Sequence, residues 1–161
     1  MTPARRHDWR GDPGFRRSLQ ADALPKKGRP ERSRRCADPP PPGLLHGIEE
    51  FNRQEYFECH ETLEAIWLKE RDPIRYLYQG ILQVGVGFYH WRRGRWRGAV
   101  GELRHGLEKL AAFRPQCMSI DVERLFNEAS ALLATLEQLG PDHLPPFPPP
   151  NLPLVHRDPS H

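Results

Sequence analysis

Cysteine is scarce in this sequence, and no apolar run approaches the roughly 18 residues that a membrane-spanning helix needs. The three cysteines, Cys36, Cys59 and Cys117, are odd in number, widely spaced and without a CxxC pair. This pattern predicts neither a disulfide framework nor a zinc finger, and it favours a reducing compartment. The N-terminus also lacks the continuous apolar segment of a secretory signal. We therefore expect a cytoplasmic protein with no membrane partner.

Proline is nearly absent from the middle of the chain. Only Pro73 and Pro115 occur there, whereas residues 1–42 and 141–161 contain eight prolines each. The N-terminal part is also basic, with 11 Lys and Arg against 5 Asp and Glu in residues 1–43. Such polar, proline-rich segments cannot bury enough apolar surface to fold alone. The predicted units are a basic, Pro-rich disordered tail (1–43), a helical domain (44–140) and a Pro-rich disordered tail (141–161).

The middle segment shows the 3.6-residue period of amphipathic α-helices. Apolar residues recur with this period in five stretches, at about residues 44–51, 55–70, 73–93, 96–113 and 121–140. Asp121 is placed to cap the last of these helices, and Gly140 to end it. No β-hairpin signal is present. The sequence therefore predicts an all-α fold, a single bundle of about five helices with disordered N- and C-terminal tails.

The second predicted helix carries an ionisable pair on its core-facing stripe. At about 100° per residue, His60 and Glu64 share one face with aromatic and aliphatic residues. Burying such a pair costs several kcal/mol unless partners compensate, so a sequence that only filled a core would place Leu or Met there. Trp67 lies one turn further along the same face and is expected to cover the pair. The HExxH signature of zinc proteases is absent, because Glu64 stands where its second His would be.

The third predicted helix is apolar on nearly every side, yet it has a narrow polar seam made of Gln79, Gln83 and His90. Gly80 and Gly87 lie near that seam and would let a neighbouring helix approach closely. If the seams of the second and third helices face each other, they form one interior patch. A divalent metal ion would then be held by His60, Glu64 and His90. Its predicted surroundings are Gln83, Gln79, Glu61 and Trp67.

Two other functions compete with metal binding. The same His and Glu residues could form a purely structural polar network that fixes helix register, as in a protein-interaction module. A turn rich in Arg and Trp could instead bind single-stranded nucleic acid, through phosphate contacts and base stacking. The nucleic-acid candidates are Arg92, Arg93, Arg95 and Arg97, which lie among Trp91 and Trp96. Homo-oligomerisation stays open, and no reaction or substrate follows from these patterns.

The spacing of His60, Glu64 and Trp67 resembles the His-x-x-x-Glu-x-x-Trp motif of the DUF309 family of small bacterial and archaeal helical proteins. The resemblance extends over about residues 44–113. It includes the runs Tyr78–Gln83, Tyr89-His90, Arg93-Gly94 and Arg97–Ala99. It implies a helical domain whose motif is suspected of metal binding, and it carries over no catalytic role. Both predicted tails fall outside it.

Overall fold

Five α-helices make up most of residues 32–158, the part of the chain that this computed structural model describes. They are α1 (Pro42–Asn52), α2 (Tyr56–Lys69), α3 (Arg75–Arg92), α4 (Trp96–Leu110) and α5 (Val122–Leu139). The predicted all-α bundle is confirmed, and each helix lies within a few residues of its predicted range. Asp121 caps α5 as predicted, because its side chain accepts a hydrogen bond from the Arg124 backbone N–H at 3.0 Å. No helix among these residues is both long and apolar enough to cross a membrane.

The middle of the bundle is α3, in which every residue from Leu77 to Trp91 is buried. It packs against α2 on one side and α4 on the other. Contact with α4 is close because Gly80 of α3 has no side chain where the two helices meet. A Cβ added to Gly80 would lie 2.8 Å from Leu110 Cδ2 and 3.2 Å from the Gly106 carbonyl oxygen. The prediction that this glycine allows a close helix approach is confirmed.

A short β-hairpin, which the sequence did not predict, connects α4 to α5. Its strands are β1 (Gln116–Cys117) and β2 (Ile120–Asp121), paired antiparallel. The two turn residues, Met118 and Ser119, have φ of 50° and 62°. Such turns usually contain Gly or Asn, which adopt positive φ at lower cost. Because each strand has only two residues and the turn contains no Gly or Asn, the hairpin could not be recognised in the sequence.

The N-terminal strap, which we define as residues 32–38, is structured although it belongs to the predicted disordered tail. It contains a 3₁₀ turn at Arg34–Ala37. A disulfide joins Cys36 to Cys117, contrary to the expectation drawn from the cysteine pattern. Spacing could not reveal this bond because the two cysteines are 81 residues apart and meet only through the fold. Residues 1–31 of the predicted tail lie outside the described residues.

The C-terminal segment, residues 141–158, is irregular as predicted but lies packed against the bundle. Asn52 bonds both backbone groups of Val155, donating to its oxygen at 3.0 Å and accepting from its N–H at 2.8 Å. Phe147 packs among the rings of Tyr56, Phe88 and Trp91. The structure thus differs from a disordered tail here, because isolated apolar side chains between the prolines reach the core.

Candidate functional site

The sequence-predicted pair of α2 lies in the interior of the bundle. His60 is 1% exposed, and its Nε2 lies 3.6 Å from Oε2 of Glu64, whose side chain is 13% exposed. The pair meets because residues four apart on a helix lie one above the other. At 3.6 Å the two atoms are too far apart for a strong hydrogen bond, and their spacing suits two donors that share one ion.

The polar seam of α3 is buried, and α4 contacts two of its residues. Gln83 accepts a hydrogen bond from Lys109 Nζ at 2.9 Å. The His90 ring lies against Gly98, where an added Cβ would be 2.6 Å from His90 Cγ. Gln79 is fully buried. These contacts show that α4 packs beside the seam, and the prediction that the seam of α2 also faces it stays a prediction.

Two buried ionisable residues of α4 were missed by the sequence analysis. Glu102 is 5% exposed and Lys109 is 1% exposed. Burial raises the pKa of the Glu102 carboxyl to about 7, opposed by the nearby His105. Burial also lowers the pKa of the Lys109 ammonium to about 7. Both groups can therefore change protonation near neutral pH, which a general acid or base requires.

The helical wheel of α4 contains no signal that Glu102 and Lys109 are buried. Together with Gly98 they fall within about 40° of one another, on the side away from the apolar stripe of the helix. The wheel therefore predicts that they are exposed, whereas the fold buries them. His105 lies on the same side of the helix, is half-buried and interacts electrostatically with Glu102.

The predicted set of three metal ligands does not come together. Within residues 32–158, no group of three or more His, Cys, Asp and Glu side chains is arranged to hold a metal ion. Nε2 of His60 and Oε2 of Glu64 lie close together, and the His90 ring packs against Gly98 of α4. Glu61 is exposed on the flank of α2. Trp67 is buried as predicted, with the Arg75 guanidinium 5.0 Å from its ring centroid.

The two tryptophans of the arginine-rich turn are directed inward. Trp91 donates its indole N–H to the Pro145 carbonyl at 2.7 Å, and Trp96 donates to the Leu136 carbonyl at 2.8 Å. Trp91 is also 3% exposed. Stacking of nucleic-acid bases would need exposed ring faces. Both tryptophans therefore help to hold the turn against the rest of the chain, and the buried ring of Trp91 is not accessible to a base.

The arginines of that turn are more accessible. Arg92 is exposed and donates to the Gln54 carbonyl at 2.9 Å, with its guanidinium 5.3 Å from the Tyr56 ring. Arg93 lies 5.7 Å from the Tyr89 ring. The other two, Arg95 and Arg97, line a surface groove of about 450 Å³ with Trp96. These arginines give the turn a positively charged surface, and binding of nucleic acid there remains a prediction.

Comparison with known proteins agrees with the resemblance seen in the sequence. Residues 44–101 match the family described as "Domain of unknown function (DUF309)". The chain is also 34% identical over 74 residues to the uncharacterised protein YpuF of Bacillus subtilis (strain 168). That match covers 45% of this chain and 42% of YpuF, so the chain spans less than half of that relative. No solved structure matches. Residues 44–101, which include His60, Glu64 and His90, are therefore similar to the DUF309 family.

Proposed function

We propose that the domain binds a divalent metal ion inside the bundle, with His60 and Glu64 as its protein ligands. The observation that carries this proposal is the 3.6 Å separation of His60 Nε2 and Glu64 Oε2 in a buried position. Two donors about 2.1 Å from one tetrahedral ion are about 3.4 Å apart, which is close to that separation. One imidazole nitrogen and one carboxylate oxygen suit Zn²⁺, Mn²⁺ or Co²⁺.

Two protein ligands leave coordination positions for water or for a small molecule. Closed structural sites usually have four protein ligands, so a two-ligand pair belongs to the open class. We leave His90 out of the ligand set because no group of three or more His, Cys, Asp and Glu side chains within residues 32–158 is arranged to hold a metal ion. Gln83, Gln79, Glu61 and Trp67 are proposed as surroundings of the ion and not as its ligands.

The chain contains a matched control for this pair. His46 and Glu50 of α1 have the same i, i+4 spacing, and their Nε2 and Oε2 atoms are 3.4 Å apart. The His46 side chain is 59% exposed, so this second pair has similar donors in a different setting. Comparison of the two pairs separates the effect of burial from that of the motif itself.

The experiment measures metal content by mass spectrometry in full-length protein purified without an affinity tag or chelator. Equilibrium dialysis against Zn²⁺, Mn²⁺ and Co²⁺ then measures stoichiometry and affinity. We expect one ion per chain in the native protein and in His46→Ala/Glu50→Ala, and loss of that ion in His60→Ala/Glu64→Ala. Affinity should fall below about pH 6, because only neutral imidazole binds a metal. Equal binding by the native protein and His60→Ala/Glu64→Ala would refute the site.

Absence of any stoichiometric ion in the native protein would leave the structural interpretation. In that case His60→Leu/Glu64→Leu should fold and equal or exceed the native protein in stability, because a buried ion pair can be replaced by apolar side chains without loss. If a metal is the function, the same double substitution removes binding while the far-ultraviolet circular dichroism stays helical.

We further propose a cytoplasmic location for the protein, which the odd number and wide spacing of its cysteines favour; in that compartment a disulfide such as Cys36–Cys117 is usually transient or redox-sensing. Fractionation of cells that express the untagged chain tests it, with the soluble cytoplasmic fraction as the expected result. Recovery from an extracellular or periplasmic fraction would contradict it.

A further inference from the structure

The N-terminal strap lies across one end of the bundle. Ser33 donates a hydrogen bond to Asp72, and Arg35 forms an ion pair with Glu70, both in the connection between α2 and α3. On the other side, the Met118 backbone N–H of the hairpin donates to the Cys36 carbonyl at 2.8 Å. The strap therefore bridges the α2–α3 connection and the β-hairpin.

Apart from the disulfide, a small number of hydrogen bonds and one ion pair hold the strap, and Arg32 adds hydrogen bonds to the Arg114 and Gln116 carbonyls. The Arg35 side chain is 37% exposed and that of Glu70 is 20% exposed, so water and salt screen their ion pair. The disulfide between Cys36 and Cys117 lies beneath these contacts, with the two cysteines 5% and 0% exposed. The disulfide is the one covalent bond between the described part of the strap and the bundle.

The hairpin that receives the strap also receives the C-terminal segment. The Asp121 N–H donates to the His156 carbonyl at 2.8 Å, and the Asp158 N–H donates to the Ser119 carbonyl at 2.8 Å. Ile120 and Arg157 form an antiparallel bridge. A hairpin of two-residue strands is not stable alone, so its position depends on these neighbours. Release of the strap should therefore also loosen the contacts of the C-terminal segment.

We propose that the Cys36–Cys117 disulfide is a reversible redox switch that docks and releases the N-terminal strap. A dithiol reductant, such as dithiothreitol or a CxxC-containing protein, transfers two electrons and two protons to the S–S bond. Two thiols form on this chain, and the reductant becomes a disulfide. In the reduced state the strap leaves the bundle, whereas the helical core keeps its fold. Docking and release do not depend on the proposed metal site.

Hydrogen exchange measured by mass spectrometry on the full chain tests this proposal. Protein purified in air should contain one free thiol, that of Cys59, and reduction should raise the number to three. Reduction should raise exchange at least about tenfold in residues 33–38 and 114–121 and leave α3 protected. Removal of the reductant in air should restore the original pattern. Cys36→Ala should show the fast exchange without reductant, and the matched variant Cys59→Ala should keep the redox response.

Three results would overturn the proposal. Three free thiols in the air-purified protein would mean that the disulfide does not form. Unchanged exchange in the strap after reduction would mean that the noncovalent contacts suffice. Loss of protection throughout α3 after reduction would make the bond a purely structural one, because the whole domain would then unfold with it.

Discussion

Removal of the Cys36–Cys117 bond should destabilise the domain by a magnitude that follows from the size of the closed loop. The cysteines are 81 residues apart. Loop-closure entropy for a loop of that length corresponds to about 4.5 kcal/mol at 25 °C. Native-state relaxation and residual structure in the denatured chain usually lower the measured value, so we expect a loss of about 2–4.5 kcal/mol for Cys36→Ala.

Urea denaturation followed by circular dichroism at 222 nm measures this loss. Four samples are compared, namely the native chain and Cys36→Ala, each with and without dithiothreitol. The native chain should lose stability on reduction and then match the variant, whereas the variant should not respond to reductant. The m-value should be higher in the three samples that lack the bond than in the oxidised native chain, because an uncrosslinked denatured chain exposes more surface.

A matched control separates the bond from the general cost of changing a buried cysteine. Cys59 is fully buried and free, so Cys59→Ala should lower stability through lost packing while its response to reductant stays native. If oxidised Cys36→Ala and the oxidised native chain differ by less than about 0.5 kcal/mol, the loop-closure reasoning is refuted.

Three further predictions concern the packing and electrostatics of the interior, and thermal or urea unfolding of the variants tests each of them. Gly98→Ala should cost about 1–3 kcal/mol, because its Cβ would lie 2.6 Å from His90 Cγ, whereas Gly101→Ala on the same helix meets nothing within 4 Å and should stabilise it slightly. Equal effects of these two changes would contradict the described position of His90. Burial raises the pKa of Glu102 from 4.5 to about 7 and lowers the pKa of Lys109 from 10.5 to about 7. Stability should therefore fall between pH 4.5 and 7 through Glu102 and rise between pH 7 and 10.5 through Lys109, so Glu102→Gln should flatten the first range and Lys109→Met the second. A profile unchanged by either substitution would show that these groups are not buried in ionisable form. Phe147→Ala should cost about 1–3 kcal/mol, because the ring packs against Tyr56, Phe88 and Trp91, and a neutral result would place residues 141–158 off the bundle.

Local patterns were sufficient to predict the helices. The 3.6-residue period and the cap at Asp121 gave five helices whose ends agree with the structure to within a few residues. The features that were missed depend on residues far apart in the chain. Cys36 meets Cys117, Asn52 meets Val155, and the hairpin joins both terminal segments. Such contacts cannot be predicted from the spacing of residues in the sequence, because they form only when the helices have packed together.

The interior polar patch was predicted in part, because the sequence does not show which helix packs against Gly80 of α3. The polar seam of α3 was recognised, and so was the role of Gly80 in allowing a close approach. Because both α2 and α4 have an apolar stripe, periodicity alone could not decide which of the two helices makes that approach. In the structure the approach is by α4, whose Gly106 would place an added Cβ 2.8 Å from the Gly80 carbonyl oxygen.

This close approach explains how an ammonium group can lie in the core. Glycines at both Gly80 and Gly106 bring the α3 and α4 backbones together, which lets Lys109 reach the Gln83 side chain at 2.9 Å. A side chain larger than glycine at either position would push the helices apart and leave the amine buried without this acceptor. The polar interior is thus a consequence of glycine packing between α3 and α4. The His60–Glu64 pair, in contrast, is created within α2 alone by its i, i+4 spacing. Changes at Gly80 or Gly106 should therefore disturb Lys109 and Gln83 first and affect the proposed metal site at His60 and Glu64 only indirectly.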